Sequence, residues 1–245
     1  MPTLFQINAV CNSGSTGRIA EDIGKLVQKN GWQSYIAFGR WSNSSSSVLY
    51  KIGNRVDLLI HVLYTRLFDK HGFASKRSTR ELVKVIERVR PDIIHLHNIH
   101  GYYLNMEILF DYLSSSGIQV VWTLHDCWAM TGHCVHFQDI GCEKWLKGCS
   151  NCPNKHGYPA SLLKDRSKKN YLQKKELFTS ARNLTVVSVC HWLDGVVGQS
   201  FLSSAKREVI VNGIDLDIFT PRVHREEMRV QMGLNSRFMI LAVAT

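Results

Sequence analysis

No stretch of this 245-residue chain approaches the roughly eighteen uncharged apolar residues that a membrane-spanning helix requires. The opening MPTLFQINAV has neither a basic leader nor a small-residue cleavage site, so the sequence reads as unsecreted and cytoplasmic. Without a leader, the sequons Asn43-Ser44-Ser45 and Asn183-Leu184-Thr185 read as chance matches. Acidic residues are scarce: 20 Asp and Glu stand against 30 Lys and Arg, for a formal charge of +10. Such a surface favours anions, whether phosphates, anionic lipid or nucleic acid. No arginine-rich tail or RNA-binding aromatic signature accompanies the charge, and no nucleic-acid partner is expected. No internal repeat is found. The first loop lacks GxGxxG and no acid ends the second strand, which argues against a nucleotide-dependent dehydrogenase or epimerase.

What is present is an alternation of short apolar strands with helical stripes, the period of an α/β fold. The expected architecture is a Rossmann-like parallel sheet with helices on both faces. Strands are expected at Thr3–Val10, Ser34–Phe38, Asp92–His97, Gln119–Leu124, Leu184–Val187 and Glu208–Val211. Helices are expected at Arg18–Val27, Val56–Phe68, Ser78–Val89, Leu104–Leu113, Ser161–Ala181 and Trp192–Val197. Arg90-Pro91 closes the third of these, because proline disfavours helix in the residue before it. A last apolar strand begins at Phe238 and runs to Ala244. Alone it would expose an unpaired edge, so it reads as the start of a second domain. The expected division is a domain over 1–220, with a cysteine-rich insertion at about 127–153, and a linker and first strand over 221–245.

Three places carry candidate chemistry. The loop Gly14-Ser15-Thr16-Gly17, followed by Arg18, lies between a strand and a helix. Its glycines allow a tight turn, and the helix start offers free N–H groups and a positive dipole end to a phosphate or polar sugar. The same glycines serve packing in many parallel α/β proteins, so both readings stand. His125 and Asp126 follow a buried strand directly, at the sheet edge where doubly wound proteins bind ligands. They would hydrogen-bond sugar hydroxyls, or they would cap the next turn. His95, His97, Asn98 and His100 follow another strand. Alternation puts His95 and His97 on one face, with His97 and Asn98 lining an acceptor cleft. A metal reading of these histidines is disfavoured, since no thiolate or acid stands among them.

Five of the seven cysteines crowd into Cys127, Cys134, Cys142, Cys149 and Cys152. The Cys149–Cys152 spacing suits two thiolates on one tetrahedral ion. With two more sulfurs it would form a structural zinc site that stiffens a long loop. Buried free thiols or reversible disulfides are the alternatives. A zinc-stabilised basic module for nucleic acid or another polyanion is the rival reading of the whole chain. The mixed apolar and basic segment Val56–Lys70 suits either peripheral contact with anionic membrane or an ordinary amphipathic core helix. The core helix is the preferred expectation. Finally, Asn212-Gly213-Ile214-Asp215 reads as a turn with positive φ in a linker beside an interdomain cleft.

Taken in order, Gly14-Ser15-Thr16-Gly17, His125-Asp126-Cys127-Trp128 and Asn212-Gly213-Ile214-Asp215 with Phe219 and Pro221 resemble retaining GT-B glycosyltransferases of the glycosyl transferase group 1 superfamily. The chain is most similar to the branch of colanic-acid and other bacterial surface-polysaccharide transferases. The resemblance implies two Rossmann-like domains, the first for the acceptor and the second for a nucleotide-sugar donor, with transfer by retention. It implies that Gly14 to Gly17 approach the donor phosphates or the acceptor and that His125 contacts the donor sugar. His125 and Asp126 are the expected catalytic residues, and Arg18, His97, Asn98, Asn212 and Gly213 would complete the substrate site with the first loop. No catalytic metal is implied, because cations and helix N-termini neutralise the leaving diphosphate. The partners implied are the nucleotide sugar, a glycan or lipid-linked acceptor and a C-terminal donor domain, without which the isolated chain would be inactive.

Overall fold

The computed structural model describes residues 1–220, 224–234, 238–240 and 242. Met1–Asn212 form one compact unit and Gly213–Thr245 a second.

The first unit is built on seven parallel strands: β1 (Thr3–Asn8), β2 (Gln33–Phe38), β3 (Val48–Lys51), β4 (Ile93–Leu96), β5 (Gln119–Leu124), β6 (Leu184–Ser188) and β7 (Lys206–Val209), in the order β3-β2-β1-β4-β5-β6-β7. Every residue of β1 is buried, as a central parallel strand covered on both faces requires. The strand expected at 119–124 forms with those bounds. β3 was not anticipated; its Val-Leu-Tyr-Lys is half exposed at the sheet edge and lacks the apolar run that marks a buried strand.

The helices are α1 (Gly14–Lys29), α2 (Arg55–Phe68), α3 (Lys76–Val89), α4 (Met106–Ser115), the four-residue α5 (Lys144–Lys147), α6 (Ser167–Ser180) and α7 (His191–Gln199). α1 packs on β1 and β2, α7 packs on β6 and β7, and α4 packs on both α3 and α6. Phe110, Trp122 and Phe178 form an aromatic triangle between α4, β5 and α6, with ring centroids 4.5–5.7 Å apart. Contacts of this kind add to the large apolar area such rings bury.

The chain steps from β1 outward to β2 and β3, then returns to β4 on the other side of β1. Loops leaving the carboxyl ends of β1 and β4 therefore diverge, and the crevice between them is where doubly wound sheets hold ligands.

In the second unit, Asp215 Oδ1 accepts the Asp217 and Ile218 N–H groups, and α8 spans Arg225–Gln231. Gly213 is not among the positive-φ residues, so the expected Asn-Gly turn does not form there. Of the strand expected from Phe238 to Ala244, residues 241, 243 and 244 lie outside the described residues, and 238–240 have no regular structure.

Candidate functional site

Asn8, the last residue of β1, joins two of the candidate groups. Its Nδ2 donates to Val10 O at 2.9 Å and Thr16 Oγ1 at 3.3 Å, while its Oδ1 accepts the Asn98 N–H at 3.2 Å. The Gly14–Arg18 loop and the His97–Asn98 segment therefore meet at the β1–β4 crevice. Sequence reasoning passed over Asn8 because a polar residue closing an apolar strand looks like an ordinary strand end.

The two loop glycines have different tasks. Gly14 takes φ +59 with open space around it, whereas a Cβ on Gly17 would come 3.0 Å from Val10 Cγ2 and 3.2 Å from Asn12 N. The N-cap Ser13 makes no side-chain cap bond and the first turn holds no acid. The helix start keeps free N–H donors, with exposed Arg18 nearby. A cation there opposes the helix dipole, so it offers nothing to the helix and much to an anion.

At the end of β4 the histidines are ordered. The rings of His95 and His97 lie 4.0 Å apart, and His97 stacks on His125 at 5.8 Å. His95 Nε2 pairs with Thr123 Oγ1 at 2.8 Å, and His97 Nε2 donates to Gln6 Oε1 at 3.0 Å. Burial pushes all three downward, His95 to about 4 and His97 far below the ordinary histidine value, with neighbouring histidines adding to the effect at His95 and His97. They are neutral at pH 7 and present polarity without charge.

Asp126 does not pair with its neighbour His125. His100 Nε2 donates to Asp126 Oδ2 at 2.7 Å, while Oδ1 accepts the Trp128 N–H at 2.8 Å. One sequence reading of Asp126 is seen, since Oδ1 takes the first N–H of the short 3₁₀ turn Trp128–Met130; Oδ2 holds His100, a partner that neither reading named. Burial pushes this carboxyl up, but the charge and hydrogen bond of His100 and the Trp128 N–H outweigh it and hold Asp126 below the ordinary carboxylate value. His100 escaped the sequence-based site because 26 residues separate it from its partner.

A small cavity is lined by His97, Asn98, His100, His125, Asp126 and Trp128, among others. His97 Nδ1, Asn98 Oδ1, His100 Nδ1 and His125 Nε2 are buried there without hydrogen-bond partners. Buried polar atoms are normally satisfied, so these four are the atoms here that a bound water or ligand could pair with. Arg40, just beyond β2, also has a buried, unpartnered Nε. Asn212 and Gly213 are exposed at the boundary between the two units.

The expected structural zinc site is not supported. Among the described residues, no three His, Cys, Asp or Glu side chains are arranged to hold a metal ion. Cys127 stands apart, 3.9 Å from Gln138 Nε2. Cys134, Cys142, Cys149 and Cys152 line a second cavity, but Cys149 accepts the Gly132 N–H at 3.2 Å and Cys134 and Cys152 hydrogen-bond each other. The segment is ordered by other means. Asp69, at the end of α2, takes His133 Nδ1 at 2.6 Å and Arg166 N at 2.8 Å, and its carbonyl accepts Asn170 Nδ2 at 2.7 Å. The fully buried Lys174 donates to Trp128 O and Thr131 O and lies over the Trp128 ring. Phe137 stacks on Trp145. Long-range hydrogen bonds and stacking do what a metal would otherwise have done.

Comparisons with known proteins give the family and the fold. Residues 16–218 match the family model described as Glycosyltransferase Family 4. The chain is 28% identical over 229 residues to the colanic acid biosynthesis glycosyl transferase WcaC of Escherichia coli strain K12, covering 87% of this chain and 55% of that protein. It is similar in fold to sucrose-phosphate synthase from Thermosynechococcus elongatus, with TM-score 0.53 and 10% identity over 96% of this chain and 53% of the other. The chain thus spans about half the length of the curated relative it matches. With more than half its residues matched, the chain belongs to Glycosyltransferase Family 4.

Proposed function

We propose that this chain is the acceptor-side half of a GT-B glycosyltransferase that moves a sugar from a nucleotide-sugar donor to a growing polysaccharide or lipid-linked acceptor, with retention of configuration. In this reading residues 1–220 form the acceptor-side domain, and 221–245 are the linker and opening strand of a donor-binding domain. The enzyme works in the cytoplasm, peripheral to the inner face of the plasma membrane. The observation that carries the reading is the meeting of an uncapped helix start, neutral histidines with unsatisfied nitrogens and a His–Asp pair at one sheet edge.

The roles follow from the groups. The α1 N-terminus with Arg18 stabilises the diphosphate or an anionic acceptor. His125 hydrogen-bonds the donor sugar without adding charge. His100 and Asp126 set a fixed negative group where an acceptor hydroxyl would be oriented and its developing charge balanced. Asn8 is a positioning residue that holds the first loop against Asn98. Asn212 and Gly213 contact the substrate.

The test is transfer by the full-length polypeptide carrying the donor domain, read as nucleotide diphosphate release over a broad panel of nucleotide sugars with a lipid-linked or glycan acceptor. Activity that collapses in His125→Ala supports the reading. A folded full-length enzyme that transfers no sugar from any donor sinks it.

A further inference from the structure

α2 is inside out. Its buried residues are His61 and Thr65, while Val56, Leu59, Ile60, Leu63, Tyr64 and Phe68 are exposed, Leu59 by 66%. These apolar positions recur every three or four residues and form one continuous stripe. The core reading preferred from sequence is therefore corrected: the stripe exists, but it faces outward. The orientation is fixed from the polar side. His61 Nδ1 bonds Ser75 Oγ at 2.7 Å, its Nε2 accepts the Gly72 N–H at 3.1 Å, and Thr65 Oγ1 donates to the His61 carbonyl. A capping box between Asn54 and Asp57 fixes the helix start. Rotating the stripe inward would break the two His61 bonds, which reach Ser75 and Gly72 outside the helix.

The stripe has an extension and a charged rim. Leu162 N donates to Arg66 O at 2.7 Å, which brings the loop with exposed Leu162 and Leu163 beside the helix. Lys70 Nζ lies over the Tyr64 ring and Lys164 Nζ over the Phe68 ring, each 5.8 Å from the centroid. Arg55 and Arg66 are further cations of the same helix. The only acid within α2, Asp57, is engaged in its capping box. An apolar stripe bordered by cations is complementary to the acyl boundary of a bilayer and its anionic headgroups. A second copy of this cationic surface would bring like charges together, whereas an anionic bilayer matches the stripe and its rim at once.

We propose that α2 and the Leu162–Leu163 loop form the surface by which this protein lies on an anionic lipid bilayer. Tyr158, in the same loop as Leu162, lies beside the candidate site. It is 44% exposed, and its ring lies 6.2 Å from that of His100 and 6.1 Å from that of Tyr102. The lipid-facing surface of α2 deepens the peripheral-membrane part of the proposed function and rests on it for its setting. Vesicle binding requires no sugar transfer, so either reading can fail while the other stands.

The experiment is flotation of the full chain with phosphatidylcholine vesicles, with and without phosphatidylglycerol. Binding is expected to be at least about tenfold tighter with the anionic lipid and to weaken with added salt. Leu59→Ser with Leu63→Ser is expected to lower it about tenfold or more, as is Arg55→Glu with Lys164→Glu. Leu26→Ser, which removes an exposed leucine from α1, is expected to retain binding. Circular dichroism of each variant confirms that it is folded. Absence of binding to phosphatidylglycerol vesicles, equal binding to both compositions, or indifference to the α2 leucines would overturn the proposal. So would a stable dimer in sedimentation that the same leucine changes dissociate, since a second copy would then be what covers the stripe.

Discussion

His100 and Asp126 are held 2.7 Å apart from opposite ends of a 26-residue separation, one beyond β4 and the other directly after β5. The pairing of β4 with β5, Leu96 beside Trp122, brings the two loops together. Asp126 then carries two loads, a backbone cap and a histidine partner, and replacing it separates them. Asp126→Asn retains an oxygen for the Trp128 N–H but loses the carboxylate charge facing His100. The expected outcome is a loss of roughly a hundredfold in kcat/KM of the full-length enzyme with little change in Tm. A large fall in Tm with activity per folded molecule unchanged would make the pair structural instead.

The two loop glycines should respond differently to a methyl group. Gly17→Ala meets Val10 and the Asn12 backbone and is expected to cost about 1–3 kcal/mol. Gly14→Ala meets nothing and has only its left-handed φ to oppose it, about 1–2 kcal/mol. Urea denaturation of both variants measures each cost. Donor or acceptor affinity is expected to fall more for Gly17→Ala, because a shift of Asn12 displaces the whole loop.

The buried Asp69–His133 pair organises the cysteine-rich segment, and both side chains are almost wholly inaccessible. Asp69→Asn leaves His133 without its counter-charge and is expected to destabilise by about 3–5 kcal/mol. Burial pulls His133 down, but the bond and charge of Asp69 outweigh it and raise it above its usual 6.5. The raised value means that the pair's stabilisation is fully present below pH 6.5 and fades as pH rises through the folded-state value. Thermal denaturation against pH should show this decline in the parent and not in Asp69→Asn. A chelator should leave Tm unchanged; a substantial drop would restore the zinc reading.

Lys174 works in the opposite sense. Full burial brings its ammonium down to about 7, although nearby Cys149, Cys134, Asp69 and Asp126 pull upward. Between that value and its ordinary 10.5 the unfolded chain binds more protons than the folded one, so stability gains from this group as pH rises through the window. Lys174→Met removes the titration. The difference in Tm between parent and variant should therefore change steadily from neutral to alkaline pH, and a constant difference would contradict the assignment.

The strands were legible because β1, β4, β5 and β6 are short apolar runs with turn residues around them, and burial on both faces demands that pattern. The end of β5 and the loop before α1 were readable as a ligand edge for the same reason, since a parallel sheet puts its functional loops at the carboxyl ends of its strands. β3 was not legible, because an edge strand needs only one partner and little apolar surface. Nor was the partner of Asp126, which no local spacing encodes.

Sequence alone determined which residues alternate and recur, and hence the parallel α/β class, the loops at the sheet edge and the apolar stripe of α2. Those are properties of neighbours three or four positions apart, fixed by the geometry of strand and helix. Tertiary structure decided that Asp126 meets His100, that Asp69 and Lys174 tie down the cysteine segment, and that the α2 stripe faces outward. Each depends on contacts that lie outside the local repeat, such as the bonds of His61 to Ser75 and Gly72 that hold the polar face of α2 inward. Periodicity reports that a helix has two faces, and only packing selects the one turned to the core.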